Sequence, residues 1–206
     1  MSDSELPQIY LVTPPEIELS TYADSLARVL DAEAVACVRV SLSTRDEDRI
    51  ASAADALREV CHARDVAIVI DSHVKMAERL GLDGVHLPDA GRSVRDARKE
   101  LGADAIVGSF CGQSRHDGLS AGEAGTDYIA FGPVSDTALD DAKTAETDLF
   151  AWWSETIEIP VVAEGGITPE KFTELAAYTD FFALRAELWT SDDPVKALRD
   201  LLALIR

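Results

Sequence analysis

Eight short apolar runs alternate with eight segments of helical periodicity along the whole chain, at a spacing of roughly 25 residues. The runs are Ile9–Thr13, Ala34–Val40, Val66–Ile70, Gly84–Leu87, Ala105–Ser109, Tyr128–Phe131, Pro160–Ala163 and Phe181–Leu184. They are short, continuous and rich in branched residues, as strands buried on both faces of a parallel sheet must be. Between and after them lie Ser20–Leu30, Asp46–Arg64, Val74–Leu80, Ser93–Leu101, Ser114–Ala124, Thr147–Ile157, Pro169–Ala177 and Pro194–Ile205. In the second of these, Ile50, Ala54, Leu57 and Cys61 recur at helical spacing and define one apolar face. Thr168 followed by Pro169 reads as an N-cap with proline at the first helical position.

Strict strand–helix alternation implies parallel strands, and eight is the count at which such a sheet closes on itself. The expectation is an α/β protein, a (β/α)8 TIM barrel, forming a single domain over residues 1–206. An open doubly wound sheet is the competing arrangement. It is disfavoured because Thr13-Pro14-Pro15, not a glycine-rich phosphate loop, follows the first strand.

The net charge of −19 repels nucleic acid and anionic membranes, so neither is an expected partner. There is no apolar run of membrane-spanning length, and the acidic start MSDSELPQ has no signal-peptide core, which points to the cytoplasm. Cys37, Cys61 and Cys111 form no CxxC pair and read as small buried hydrophobes.

In barrels of this type the residues just after each strand line the active-site mouth. Here they are Thr13, Arg39, Asp71, His86, Ser109, Gly132, Glu164 and Arg185. After the seventh strand comes Glu164-Gly165-Gly166-Ile167-Thr168-Pro169. Two glycines let the main chain approach an anion closely, and the loops after strands seven and eight are the customary phosphate site of the fold. Gly132-Pro133-Val134-Ser135-Asp136-Thr137 opens a long connection with the dimensions of a lid, or of a tolerated surface insertion. Asp71 and Asp89, at neighbouring strand ends, are the candidate ligands of Mg2+; the same carboxylates can instead pair with Arg39 and Arg185. His86 reads as a packed, hydrogen-bonded residue. Trp152-Trp153 is either core or the contact patch of a homodimer.

These stretches resemble the thiamine phosphate synthases and the related thiazole tautomerases. The similarity runs from Ile9-Tyr10-Leu11-Val12-Thr13 to about Leu188. It is carried by Leu82-Asp83-Gly84-Val85-His86-Leu87, by Gly125 to Val134 (GTDYIAFGPV), and by Pro160 to Ile167 (PVVAEGGI). The resemblance implies a barrel that joins an aminopyrimidine methyl pyrophosphate to a thiazole phosphate. Pyrophosphate is released with Mg2+ assistance, so the implied partners are small phosphorylated substrates. It also implies catalytic roles for Arg39 and Asp71. In a synthase with a rearranged site, Ser109, Gly132, Thr137, Gly165, Gly166 and Arg185, together with Arg39, hold substrate and phosphate; the family's metal carboxylates are absent from their own positions, and Asp71 with Asp89, which lie near them, hold the metal.

The chain departs from the family pattern at several of these places. Cys37, Arg39 and Ser41 stand where the family has Gln-x-Arg-x-Lys. Asp71-Ser72 stands for Asn-Asp, and Asp140 for the lid lysine. Ala186 aligns with a phosphate-binding serine beside the unusual Arg185. Two further readings therefore stand beside the synthase. One is a different enzyme acting on a phosphorylated or heteroaromatic metabolite, with Glu164, Asp71, Cys111 or His116 in its chemistry. The other is a non-catalytic ligand-binding relative, its mouth closed by pairs such as Arg39–Glu164.

Overall fold

The computed structural model describes residues 6–135 and 143–206. Its eight strands are β1 (Gln8–Val12), β2 (Cys37–Val40), β3 (Ala67–Asp71), β4 (Gly84–Leu87), β5 (Ile106–Phe110), β6 (Tyr128–Phe131), β7 (Val161–Glu164) and β8 (Phe181–Leu184). Each pairs in parallel with the next, and β8 returns to β1 through Gln8↔Phe181 to Leu11↔Leu184, so the barrel is closed. The helices are α1 (Leu19–Ala32), α2 (Glu47–His62), α3 (Val74–Leu80), α4 (Val94–Leu101), α5 (Arg115–Ala124), α6 (Thr147–Thr156), α7 (Pro169–Leu175), α8 (Ala186–Trp189) and α9 (Pro194–Leu202). No helix among the described residues is long and apolar enough to cross a membrane.

Alternation along each strand divides the buried side chains into two cores. Leu11, Val38, Ile68, Ile70, Val85, Val107, Ile129, Phe131, Val161, Phe182 and Leu184 face outward and pack under the helices. Tyr10, Val12, Cys37, Val69, Tyr128, Ala130, Val162 and Ala183 fill the barrel interior. Gly108 belongs to the inner set by parity. A Cβ there would lie 1.9 Å from Cζ of Tyr128, so the glycine makes room for that ring.

The lower rim repeats one device. Asp83, Asp127 and Asp180 each precede an even-numbered strand, and each accepts an N–H from the first or second residue of the odd strand beside it. The bonds are Ile68 N–H to Asp83 (2.7 Å), Val107 N–H to Asp127 (2.7 Å) and Val161 N–H to Asp180 (2.8 Å). Thr126 and Thr179, one residue earlier, donate their hydroxyls to the carbonyls of Val107 and Val161. Donors and acceptors at these strand starts are thus satisfied locally, where the sheet ladder begins.

Several strand boundaries differ from the sequence reading. β2 begins at Cys37 rather than Ala34. β3, β5 and β7 each run one residue further, to Asp71, Phe110 and Glu164. The short α8 follows β8 directly; a single turn carries too little periodicity to be read from sequence.

Candidate functional site

The upper end of the barrel is organised around Arg39. It is an inward residue of β2, paired in register with Val12 and Val69, and only 5% of its surface is exposed. Its guanidinium forms a forked pair with Glu164 at the end of β7: Nη1 donates to Oε2 at 2.9 Å and Nη2 to Oε1 at 3.3 Å. Its Nε lies 3.4 Å from Oδ1 of Asp71, an ion contact without hydrogen-bond geometry. Below, the ring of Tyr10 faces the guanidinium carbon at 5.8 Å.

Burial opposes the Arg39 charge. The carboxylates of Glu164 and Asp71, with Tyr10, outweigh it and hold the pKa well above the ordinary value, so the group is a permanent cation. Asp71 is pushed upward by burial, and Arg39 acts against that shift. Arg185 is lowered by burial and then by the like charge of Arg39. Its Nη2 donates to the Ser41 hydroxyl at 2.5 Å, and the Ser41 N–H in turn binds the Thr13 hydroxyl at 2.9 Å.

One layer deeper, the Tyr10 and Tyr128 hydroxyls are 2.8 Å apart, and the Tyr128 hydroxyl is 2.9 Å from Nδ1 of His86. Burial and the charge of Arg39 drive the His86 pKa well below its usual value, so the imidazole is neutral. His86 is therefore a packed, hydrogen-bonded residue beneath the mouth, as its sequence context indicates.

Several expected mouth residues are placed differently. Ser109 points away from the mouth. It pairs with Leu87 and Ile129 of the outer core, is fully buried, and its hydroxyl lies 3.1 Å from that of Thr126. The reason is parity: Ser109 alternates with the inward Gly108 and Phe110, so the last residue of the apolar run falls on the outer face. The inward residue at that strand end is Phe110, missed because it reads as the start of a loop. Gly132 donates its N–H to the carbonyl of Gly112 at 3.0 Å, so that donor is not free for a phosphate. A Cβ at Gly132 would lie 2.2 Å from the carbonyl oxygen of Glu164, so its role is to let the ends of β6 and β7 approach. Thr13 is fully buried and acts through Ser41. Thr137 and Asp140 lie outside the described residues.

The glycine pair fits its expected place. Gly165 and Gly166 take φ values of +81° and +72°, a region that side-chain-bearing residues rarely enter. The Gly165 carbonyl accepts from the Val134 N–H and the Gly166 carbonyl from the Ser135 hydroxyl. Their own N–H groups have no hydrogen-bond partner among the described residues. The next donor, Ile167 N–H, binds Glu187 Oε1 at 2.9 Å, and Arg185 N–H binds Oε2 of the same carboxylate at 2.8 Å. Neither Ile167 nor Glu187 was singled out from sequence. A glutamate in a one-turn helix carries no signal until the turn brings it back across two loops.

No three His, Cys, Asp or Glu side chains converge in a metal-binding cluster among the described residues. Asp71 Oδ1 and Asp89 Oδ1 are nonetheless both buried without a hydrogen-bond partner, while Asp89 Oδ2 accepts from the Ser93 hydroxyl at 2.5 Å. Unsatisfied carboxylate oxygens at two neighbouring strand ends are the donor chemistry a hard divalent cation takes. The thiol of Cys111 is buried, and burial pushes its pKa up to about 12. It is no nucleophile near neutral pH. His116 is exposed on α5.

Residues 9–187 match the family model described as thiamine monophosphate synthase. A protein of Rhodospirillum centenum named thiamine-phosphate synthase is 40% identical over 202 residues, covering 97% of this chain and 98% of the relative. One of Erythrobacter litoralis with the same name is 38% identical, covering 94% and 93%. Among solved structures, the thiamine phosphate pyrophosphorylase of Pyrococcus furiosus superposes with a TM-score of 0.83 at 23% identity, covering 96% of this chain and 95% of the other, a likeness of fold. The match of sequence along nearly the entire barrel decides membership: this chain belongs to the thiamine monophosphate synthase family.

Proposed function

We propose that this protein is a thiamine-phosphate synthase, a transferase that couples an aminopyrimidine methyl pyrophosphate to a thiazole phosphate and releases pyrophosphate. The observation that carries the reading is 40% identity to a relative of that name over almost all of both chains. In the reaction the methylene–oxygen bond breaks and its electron pair leaves with pyrophosphate. The lone pair of the thiazole nitrogen then forms the new C–N bond. No proton needs to be transferred, so the protein's task is to place the two substrates and stabilise charge.

The residues present divide that task. Gly165 and Gly166 offer main-chain N–H groups to a phosphate, and Arg185 stands beside them as a cation held by Ser41. Arg39 supplies a second, permanent positive charge at the centre of the mouth. Asp71 and Asp89, each with a carboxylate oxygen free of hydrogen bonds, would hold Mg2+, Asp71 while keeping or releasing its ion contact with Arg39; the metal when bound neutralises charge building on a leaving pyrophosphate. Phe110 offers an apolar edge to a heteroaromatic ring. Such soluble phosphorylated substrates are consistent with the cytoplasm. A homodimer through the tryptophan pair would rest on Trp152 alone, since Trp153 is fully buried.

The forked Arg39–Glu164 pair favours a second reading, a relative that has lost or changed the reaction, because both Nη groups of Arg39 are engaged by a carboxylate. Incubating the purified protein with both substrates and Mg2+ separates the two. Mg2+-dependent formation of thiamine phosphate supports the synthase. Absence of product from folded protein at saturating substrates overturns it in favour of the second reading.

A further inference from the structure

We propose that Glu187 is a positioning residue that ties the loops after β7 and β8 into a single phosphate cradle. The inference rests on the placement of a substrate phosphate at Gly165 and Gly166.

Glu187 is the second residue of α8, and its side chain turns back against the chain direction. Its two oxygens take one main-chain N–H from each loop: Ile167 at 2.9 Å and Arg185 at 2.8 Å. Each bond fixes a donor next to a group that would meet the phosphate. Ile167 follows Gly166 directly, and the N–H of Arg185 belongs to the residue whose guanidinium reaches the Ser41 hydroxyl.

The tie answers a specific weakness. Two consecutive glycines at positive φ have wide conformational freedom, which is lost each time the loop is ordered around a ligand. Anchoring the N–H immediately after the pair removes that freedom in advance, so less of the binding energy is consumed in ordering. Only a carboxylate has two equivalent acceptor oxygens to do this; a glutamine offers one.

The same carboxylate also carries a negative charge close to the cradle, which by itself repels a phosphate. An internal anion competing for main-chain donors would make the opposite prediction from a tie, so one measurement decides between them. Binding of inorganic phosphate and of thiazole phosphate is measured by calorimetry on the full chain and on Glu187→Ala and Glu187→Gln, with steady-state KM and kcat where turnover is detectable. A tie predicts that Glu187→Ala weakens both anions by about tenfold or more, as loss of charge-assisted bonds requires. Glu187→Gln falls between, because one acceptor is kept. The KM for thiazole phosphate rises while kcat changes little. Equal or tighter anion binding by both variants, with melting curves that show them folded, overturns the proposal. Should Glu187→Ala fail to fold, Glu187→Gln alone carries the test. Wild-type protein that binds neither anion also overturns it, since there is then no cradle to position. Wild-type protein that binds the anions but forms no product removes the synthase reading and leaves Glu187 to be judged on binding alone.

Discussion

At the scale of single residues, the mouth is governed by one guanidinium. Arg39 is nearly buried, and both of its carboxylate neighbours depend on it. Removing it leaves Glu164 and Asp71 as unpaired charges in a poorly solvated place. Loss of one partner from a buried pair typically costs about 3–5 kcal/mol. Arg39→Ala should therefore lower the urea-unfolding free energy by an amount in that range, with an unchanged denaturant slope, and abolish turnover. Glu164→Gln keeps an acceptor for the guanidinium and should cost much less. If Arg39→Ala unfolds like the wild type, the pair contributes nothing to stability. The thiols give a second expectation. Burial pushes Cys37, Cys61 and Cys111 each up to about 12, so the thiolate is scarce across the physiological range. In the native protein, alkylation by iodoacetamide should stay orders of magnitude slower than that of an ordinary thiol throughout pH 7 to about 9, because the thiolate remains scarce over that whole range. All three should react on unfolding in urea. A native-state thiol that labels at the rate of an ordinary exposed thiol in that pH range would show that its burial is breached.

At the scale of elements, the strand bases are stitched by the three aspartates, and the Asp127 site is the most connected. Its carboxylate holds the Val107 N–H at 2.7 Å and Nη2 of Arg98 at 2.6 Å, and Arg98 reaches on to the carbonyls of Ala105 and Gly125. Asp127→Ala leaves the Val107 N–H without its acceptor at the start of β5, at a cost of about 1–3 kcal/mol. Asp127→Asn keeps an acceptor and should recover most of it. Chemical denaturation of both, with the m-value held constant, checks this. Legibility from sequence also divides at this scale. The eight apolar runs and the spacing between them define the barrel, because burial on both faces of a parallel strand leaves a continuous apolar signature. The ends of strands are less legible. β5 runs one residue further than its apolar run shows; by alternation Ser109 faces outward and the extra residue, Phe110, stands at the mouth. α8 is one turn long, so neither it nor Glu187 had a periodic pattern to reveal it. The Arg39–Glu164 pair joins positions 125 apart in sequence. Both residues are visible as charges at strand ends, and their pairing is among those expected of a closed barrel mouth; the two-pronged geometry is what the structure adds.

At the scale of the whole molecule, the net charge of −19 sets a constraint that no single contact relieves. Acidic residues number 38 against 19 lysines and arginines, so most carboxylates have no cation to pair with. Where cations exist they are shared. Glu33 on the α1–β2 connection accepts from both Arg199 and Arg206, pinning the chain end beside the start of the barrel, and these two arginines hold its carboxyl below the usual range. Such exposed pairs contribute little individually. The excess of like charge is spread over the entire surface and opposes compaction as a whole. Screening acts on both, weakening the favourable pairs and the larger unfavourable excess together, and the imbalance of acids over bases decides the sign. Raising KCl from low ionic strength to about 0.5 M shortens the screening length to a few ångströms and should stabilise the fold. A gain of about 1–2 kcal/mol corresponds to a rise in melting temperature of several degrees for a domain of this size. Scanning calorimetry across a KCl series checks it. A melting temperature that falls with salt would mean that the ion pairs, with Glu33 and its two arginines foremost, outweigh the collective repulsion.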